Sequence, residues 1–297
     1  MALKLTKVGQ CPICRNGGDH QELYQLEKFN VYQCSCGVKF IDPSLDEEAM
    51  INVYQSTEHL KEINPVLEHY YEYETLAPNS KTYQDYVKAL SELSRFTTKR
   101  SLLEVGCGRG SFLKVARDQG WNVVGIDSSR ENIKVVKEQG IDGIYVDYLS
   151  YTSSEKYDVI VLWDLIEHPQ NPGKFIEKSF ELLAEDGLLL IATPNDPSLL
   201  SIIASWIYRL SGRSISGPLR KFYVVEHTSY LNQKTLANLL SKFNFETLKA
   251  WRTETDIDRY QIPASTKLFV KVSFVFAKLL GLENRLILIA RKRNSRA

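Results

Sequence analysis

The chain has 297 residues, of which 43% are hydrophobic and 25% are charged, and its formal net charge is +1 at pH 7. This is the composition of an ordinary globular protein, long enough for one domain of about 200 residues plus a small appendage. A net charge near zero excludes a broad electrostatic attraction to nucleic acid. The first residues lack the apolar core of a signal peptide, and no apolar run reaches about 18 residues, so we expect a cytoplasmic protein without a spanning segment.

Four of the five cysteines lie near the amino terminus, in the pairs Cys11/Cys14 and Cys34/Cys36. Two thiolate pairs about 20 residues apart suit a tetrahedral structural Zn²⁺, which would stabilise a segment too small to fold alone. The second pair is C-x-C, where a zinc ribbon normally has C-x-x-C, so four free thiols are the alternative. A reducing compartment argues against disulfides. We predict a zinc-ribbon-like knuckle over residues 1–45.

Residues 46–98 form a connector that is rich in Tyr, Glu and Leu. Its tyrosines are dense enough to suggest a helical cap over a cleft, although they could equally pack linker helices on a sheet. These tyrosines are Tyr70, Tyr71, Tyr73, Tyr83 and Tyr86.

The most informative motif is the stretch LLEVGCGRG at 102–110. It reads as a buried strand followed by a tight glycine turn into a helix. Gly106 and Gly108 have no Cβ, so a flat ligand can lie against the backbone. The next apolar run ends in Asp127, a carboxylate placed to accept hydrogen bonds from both hydroxyls of a ribose. The pattern predicts a nucleoside site at the carboxyl ends of parallel strands.

The glycine spacing bears on which nucleoside binds. A dinucleotide fingerprint is G-x-G-x-x-G, but here Gly110 comes one residue early. Glu104 also stands two positions before the first glycine, and a carboxylate suits an ammonium group better than a pyrophosphate. The combination resembles motif I (E-x-G-x-G-x-G) of the class I S-adenosylmethionine-dependent methyltransferases. A glycine-rich turn without a ligand is the alternative.

The resemblance continues in order along the chain. The matching segments are a third strand ending at 144–147, a fourth strand at 157–163, a helix opening at 171–172, a fifth strand at 188–195, a helix at 235–243, a sixth strand at 245–251 and a last strand at 285–291. It implies an α/β fold, a Rossmann-like doubly wound seven-stranded sheet whose last strand is antiparallel. The domain would span 99–297, with inserts at about 196–226 and 262–282. The most similar groups are ubiquinone-type and glycan- or natural-product-modifying O-methyltransferases, some of which carry a zinc ribbon.

The resemblance also implies the cofactor, S-adenosyl-L-methionine, and the residues that bind it. In this family an acidic residue at the position of Asp147 faces the adenine amino group, and the next side chain, Tyr148, lies near the ring. The implied binding residues are Glu104, Gly106, Gly108, Gly110, Asp127, Ser128, Asp147, Tyr148, Trp163 and Asp164.

The candidate catalytic residues directly follow the fourth strand. Asp164, Glu167 and His168 are spaced i, i+3 and i+4, so on a helix they would share one face. A hydroxyl acceptor must lose a proton during methyl transfer, and a histidine supplies a general base. His168 is the first choice for this base and His227 is the second.

A divalent ion is an alternative at the same place. Small-RNA 2′-O-methyltransferases and some ubiquinone-pathway enzymes bind a metal through E-x-x-E-H here, and the RNA enzymes add a later histidine. Asp164, Glu167, His168 and His227 could hold Mg²⁺ or Mn²⁺ in the same way, although the first position is Asp and not Glu. A purely structural role for Glu167 and His168 is the third possibility.

Two apolar stretches, at 199–210 and 268–282, carry nearby basic residues. Lys267, Lys271 and Lys278 would form one stripe on a helix, which is typical of a surface that contacts an anionic membrane or lines a lipid channel. Core or dimer packing is the alternative.

Taken together, the sequence predicts transfer of a methyl group to a hydroxyl of a small-molecule, glycan or lipid-linked substrate. The alternatives are an RNA 2′-O-methyltransferase with a divalent metal, which the net charge disfavours, and a non-catalytic scaffold that binds the cofactor. The predicted location is cytoplasmic, with peripheral membrane contact as a further option.

Overall fold

The computed structural model describes residues 4–18, 20–55, 76–260 and 262–293. Tyr70, Tyr71 and Tyr73 of the predicted cap lie outside these described residues. The strands are β1 (Leu5–Thr6), β2 (Gln21–Gln25), β3 (Asn30–Gln33), β4 (Lys39–Asp42), β5 (Ser44–Leu45), β6 (Ser101–Val105), β7 (Asn122–Asp127), β8 (Asp142–Tyr145), β9 (Tyr157–Trp163), β10 (Leu183–Pro194), β11 (Ser229–Tyr230), β12 (Phe245–Thr253) and β13 (Arg285–Lys292).

The α-helices begin and end at local sequence signals. Ser129 opens one helix by accepting a hydrogen bond from the backbone N–H of Asn132, and Pro172 occupies the first turn of another. Gly281, with φ +64°, ends the last helix. The helices are α1 (Glu47–Gln55), α2 (Lys81–Leu93), α3 (Ser111–Asp118), α4 (Arg130–Glu138), α5 (Pro172–Leu182), α6 (Leu199–Leu210), α7 (Gln233–Lys242) and α8 (Ala264–Leu280).

A seven-stranded sheet forms the centre of the molecule, in the order β8-β7-β6-β9-β10-β13-β12. The first five strands of this order are parallel, whereas β13 runs antiparallel to both β10 and β12. The predicted Rossmann-like sheet with an antiparallel last strand is confirmed. The carboxyl ends of β6, β7 and β9 therefore meet at one edge, where this type of fold places its ligands.

Both faces of this sheet are covered, because alternate residues of each strand point to opposite sides. On one face, Leu103 packs in a cluster with apolar side chains of α5 and α7. On the other face, Leu102 packs with residues of α2, α3 and α4. Strands buried on both sides read as continuous apolar runs, which is why the sequence indicated them clearly.

The amino-terminal segment forms a second sheet, in the order β2-β3-β4-β11. Strand β11 comes from far along the chain, and it pairs with β4 through Ser229 beside Phe40 and Tyr230 beside Lys39. A third apolar cluster joins Tyr24 of the amino-terminal segment to Tyr208 of α6. The amino-terminal segment is therefore packed together with residues 196–230, and this joint sheet is a feature that the sequence did not indicate.

A buried ion pair holds the same junction. Lys39 Nζ lies 2.7 Å from Asp196 Oδ2, and the hydroxyl of Tyr223 donates to Asp196 Oδ1 at 3.0 Å. Because the ammonium, the carboxylate and the hydroxyl each have a polar partner, they can be buried in an otherwise apolar interface. Within the described ranges, no helix combines the length and the apolar character needed to cross a membrane.

Candidate cofactor and catalytic site

A cleft with a volume of about 330 Å³ lies at the carboxyl edge of the central sheet. Several parts of the chain form its walls. The ends of β6, β7 and β9 form the floor, helix α2 contributes Tyr86, and the amino-terminal segment contributes Leu45 and Met50. The sequence predicted the floor. The amino-terminal wall was missed, because no local pattern marks it.

The glycine turn after β6 forms part of this floor. Gly106, Gly108 and Gly110 all have positive φ values, of +68°, +53° and +81°. A Cβ at Gly108 would meet no atom within 4 Å, so the backbone is open there, whereas a Cβ at Gly106 would lie 3.0 Å from Leu165 Cδ1. A Cβ at Gly110 would lie 3.1 Å from Val136 Cγ2 of α4, so this glycine serves helix packing.

Asp127 lies at the end of β7 and is held by the turn that it faces. Its Oδ2 accepts from the Gly108 N–H at 2.9 Å, and its Oδ1 accepts from the Ser129 N–H at 2.8 Å and from Asn132 Nδ2 at 3.2 Å. Burial raises the pKa of this carboxyl, and the three hydrogen bonds oppose that shift. Asp127 therefore has a fixed orientation in the cleft and supports the glycine turn.

Glu104 is the second buried carboxyl of the floor, 4% exposed. Burial, followed by repulsion from Asp127, raises the pKa of Glu104 well above its ordinary value, and a hydrogen bond from the Leu113 backbone opposes the shift. Its Oε2 is buried and accepts no hydrogen bond from the described residues. Buried acceptors without partners are rare in proteins, so this oxygen fits a cationic donor on a ligand.

The predicted adenine side of the cleft is formed by the residues after β8. Asp147 is exposed, and its Oδ2 accepts from Ser150 Oγ at 3.2 Å. Tyr148 is buried, with its hydroxyl 2.9 Å from Ser179 Oγ of α5. Its hydroxyl therefore interacts with the protein core, and its ring lines the cleft together with Ser128.

Three aromatic rings close the opposite side. Trp163 ends β9, Tyr86 contacts it edge-on with ring centres 4.7 Å apart, and Phe112 stacks on it at 5.5 Å. All three line the cleft. Trp163 was predicted, and Tyr86 belonged to the suggested cap, whereas Phe112 was missed.

The segment after β9 is a series of turns, so the prediction that Asp164, Glu167 and His168 share a helical face is wrong. Asp164 has a φ of +51°, which an α-helix does not allow, and Pro169 cannot continue a helix. Asp164 Oδ1 instead accepts from Arg285 Nη2 at 2.6 Å. Arg285 lies on β13, 121 residues away, and was not predicted as part of the site.

His168 lines the cleft, and its tautomer follows from its partner. Nδ1 lies 2.8 Å from the carbonyl oxygen of Glu226. A carbonyl only accepts, so in the neutral ring Nδ1 carries the hydrogen and the lone pair is on Nε2. Burial lowers the pKa of His168, which favours the neutral ring.

His227 and Glu167 stand beside His168. The two imidazole rings are 4.8 Å apart, and burial together with His168 lowers the pKa of His227 well below its ordinary value. Glu167 Oε2 accepts from Thr193 Oγ1 at 2.9 Å, and burial with repulsion from Asp164 raises the Glu167 pKa to about 8. One donor atom from each of these three residues lies within 4.8 Å of the others, and Asp164 does not belong to this group.

The four amino-terminal cysteines converge on one point. The Sγ atoms of Cys11 and Cys36 are 3.7 Å apart, those of Cys14 and Cys34 are 3.4 Å apart, and all four lie within 4.8 Å of one another. Zn–S bonds of about 2.3 Å in a tetrahedron require S···S distances of about 3.8 Å, whereas a disulfide requires about 2.05 Å. The cluster fits Zn²⁺, and the C-x-C pair reaches it despite its short spacing.

This cysteine cluster is connected to the cleft through the chain that follows it. Gln170 Nε2 donates to Ser44 Oγ at 3.2 Å and to the carbonyl oxygen of Leu45 at 2.9 Å. Leu45 is fully buried and lines the cleft. Gln170 therefore fixes this part of the cleft wall to the turns after β9.

The chain matches a family model described as "Methyltransferase domain" over residues 67–250, which is more than half of its length. The chain belongs to this family. It resembles the ubiquinone biosynthesis O-methyltransferase of Chelativorans sp. (strain BNC1), with 35% identity over 101 residues, covering 32% of this chain and 40% of that protein. The corresponding protein of Actinobacillus pleuropneumoniae serotype 7 (strain AP76) is 28% identical over 174 residues, covering 51% of this chain and 73% of that protein.

Among solved structures, the magnesium protoporphyrin IX methyltransferase from Synechocystis PCC 6803 with bound SAH superposes with a TM-score of 0.57. It is 13% identical, and the match covers 84% of this chain and 100% of that one, so the likeness concerns the fold. The match to the Chelativorans relative spans less than half of that protein's length. The predicted methyltransferase family is confirmed, and the roles of individual residues stay predictions.

The buried carboxyl of Glu104 should make the stability of the ligand-free protein depend on pH. Its folded-state pKa is raised, so its contribution to stability is fully present below about pH 4.3 and is lost as pH rises through the raised value. Because glutamine does not ionise, Glu104→Gln should not lose this stability. Above neutral pH, the variant should therefore unfold at a higher urea concentration than the wild type. Urea midpoints across this pH range measure the effect.

The matched control is Glu138→Gln, an exposed glutamate on α4. Its pH profile should follow that of the wild type. A Glu104→Gln protein that is less stable than the wild type at alkaline pH would contradict the assignment of a buried, unpartnered charge.

Proposed function

We propose that this protein is an S-adenosylmethionine-dependent methyltransferase that modifies a hydroxyl of a small-molecule, glycan or lipid-linked acceptor. The observation that carries the proposal is the pair of buried carboxyls in one cleft, Glu104 with a free Oε2 and Asp127 held by the glycine turn. The family match supports methyl transfer, and the names of the ubiquinone relatives favour an oxygen acceptor.

Each carboxyl suits a different part of the cofactor. Asp127 retains acceptor capacity for the ribose hydroxyls, and Glu104 would accept from the amino-acid ammonium. Asp147 and Tyr148 would contact the adenine, with Ser128, Trp163 and the glycine backbone completing the surface. A cation beside Glu104 offsets the cost of its buried charge, so binding and ionisation are coupled.

When bound, S-adenosylmethionine supplies a methyl group on a positively charged sulfur, which leaves as a neutral thioether. His168 Nε2 is the base in our proposal, because its Nδ1–H is committed to the Glu226 carbonyl. The acceptor oxygen gains the methyl carbon and loses its proton to Nε2. The lowered pKa keeps His168 neutral and ready to accept that proton.

A divalent ion held by Glu167, His168 and His227 is the alternative for the same step. Two imidazoles and one carboxylate suit Mn²⁺ better than Mg²⁺, which prefers oxygen ligands. An ion there would also offset the burial and the repulsion from Asp164 that raise the pKa of Glu167 to about 8. Asp164 is committed to Arg285, so we leave it out of the ligand set.

Cofactor binding is the first test of this function. We expect S-adenosylmethionine and S-adenosylhomocysteine to bind with micromolar affinity, about −8 kcal/mol, and NAD not to bind. Glu104→Gln and Asp127→Asn should each weaken binding by about 1–3 kcal/mol. Calorimetric titration measures this, with Glu138→Gln as the control. Wild-type affinity in both variants would show that the ligand lies elsewhere.

The role of His168 is tested once untargeted mass spectrometry of cells with and without the gene has identified the acceptor. His168→Ala should keep cofactor affinity and lower turnover by roughly 10²–10⁴-fold. The wild-type rate should rise as His168 loses its proton. Because burial lowers the pKa of His168, this rise should lie at a pH below the ordinary histidine pKa, and the variant should lack it.

The metal alternative gives a different result. A chelator would then abolish wild-type turnover, Mn²⁺ would restore it, and Glu167→Gln would be as damaging as His168→Ala. Unchanged turnover per folded His168→Ala molecule would contradict both roles.

We also propose that the cysteine cluster binds a structural Zn²⁺, and that this ion supports the cleft. Purified protein should contain about one zinc per chain. Cys36→Ser should lose it and weaken S-adenosylmethionine binding, because Leu45 follows the ribbon and forms the cleft wall. Metal analysis and calorimetry measure both. Cys107→Ser, outside the cluster, should retain zinc, and a metal-free wild type would contradict the proposal.

A further inference from the structure

Helices α6 and α8 present large apolar side chains to solvent. Apart from Tyr145, they and the loop after α6 hold all the exposed large apolar residues of the described chain, with exposed fractions from 36% to 79%. We call this set the α6–α8 surface. It consists of Ile203, Trp206, Ile207, Leu210, Ile215, Leu268, Phe269, Val272, Val275, Phe276, Leu279 and Leu280.

The two helices belong to one surface. They contact each other, and the backbone N–H of Leu199 at the start of α6 donates to the carbonyl of Leu282 just after α8 at 2.9 Å. Isolated exposed apolar residues are common, but a contiguous group of this size marks an interaction site.

The amphipathic pattern of α8 is inverted. The fully buried positions of α8 are the small residues Ser273 and Ala277, while its leucines and phenylalanines are largely exposed. Helix α6 buries Tyr208 together with the small residues Ser201 and Ala204, but it exposes Trp206 and Leu210. A surface helix of a soluble protein normally buries its large apolar side chains, so folding of this chain alone does not account for the arrangement.

The charges on this surface have one sign. Residues 199–225 contain four basic and no acidic residues, and 264–280 contain three lysines and no acidic residue. Lys267 and Lys271 pair with Asp258. Arg209, Arg213 and Lys278 have no acidic partner within 4 Å among the residues described.

We propose that the α6–α8 surface docks on an anionic lipid membrane. Exposed leucines and phenylalanines would enter the acyl boundary, Trp206 suits the interface, and Arg209, Arg213 and Lys278 would meet lipid phosphates. A second copy of the chain fits less well, because face-to-face packing would bring the same basic side chains together.

The surface lies next to the cleft. Asp258 holds α8 through Lys271 Nζ at 2.9 Å and Lys267 Nζ at 3.4 Å, and the next residue, Arg259, lines the cleft. Docking would place the cleft entrance near the bilayer, so a lipid-linked acceptor could enter without leaving the membrane. This last point rests on the proposed function, whereas the docking itself does not.

Flotation of the full-length protein with lipid vesicles tests the proposal. We expect binding to vesicles of equal parts phosphatidylcholine and phosphatidylglycerol, weaker binding at high salt, and little binding to pure phosphatidylcholine. The double variant Leu210→Ser/Leu279→Ser should lower the partition coefficient by about tenfold or more. Both leucines are more than three-quarters exposed, at 79% and 77%, so the variant should fold normally.

Tyr145→Ser is the control, since Tyr145 is exposed but lies on β8, away from the surface. Unchanged S-adenosylmethionine affinity in the double variant would show that its cleft is intact. If the wild type did not bind S-adenosylmethionine, the proposed function would be contradicted but the membrane docking would not. Equal vesicle binding by wild type and double variant, or none by the wild type, would overturn the proposal. A wild-type dimer that the double variant dissociates would assign the surface to a second copy instead.

Discussion

Two buried carboxyls side by side are the constraint around which the cleft is organised. Glu104 on β6 pairs in register with Gly125 of β7, only two residues before Asp127. Asp127 is stabilised by three donors, one of them the glycine turn, but Glu104 retains a free oxygen. Burial and mutual repulsion both disfavour two negative charges here, and the hydrogen bonds of the protein alone do not offset that cost at Glu104. A cationic ligand with hydroxyl groups would satisfy both carboxyls, and in our proposal its binding would therefore stabilise the fold.

The amino-terminal segment gives the cleft its outer wall, and it depends on the catalytic domain for its own fold. Its sheet is completed by β11, its apolar cluster by Tyr208, and its polar junction by Asp196. A segment of this size buries too little surface to be stable alone. The segment shares a sheet, an apolar cluster and an ion pair with the larger domain, and these contacts compensate for its small size.

The turns after β9 show how backbone geometry selects among residues that are close in sequence. Asp164 in the left-handed region is directed to Arg285, while His168 is directed to the cleft and to the Glu226 carbonyl. Thr228 holds these turns in place, with its N–H donating to the Glu167 carbonyl at 2.9 Å and its hydroxyl to that of Pro169 at 2.8 Å. The two histidines lie side by side because this later segment is hydrogen-bonded to the turns, so their arrangement depends on two separate loops.

Local patterns in the sequence determined much of this protein. Continuous apolar runs marked the strands, three glycines with Glu104 and Asp127 marked the cleft floor, and the cysteine spacing marked the cluster, because each depends on residues within one or two neighbouring elements. Only the tertiary structure shows that Asp164 pairs with Arg285, that Leu45 lines the cleft and that β11 completes the amino-terminal sheet. These contacts join residues more than a hundred positions apart, so no local sequence pattern indicates them. The helical face expected at 164–168 does not form, because Asp164 adopts a positive φ, where it accepts from Arg285, and Pro169 follows directly.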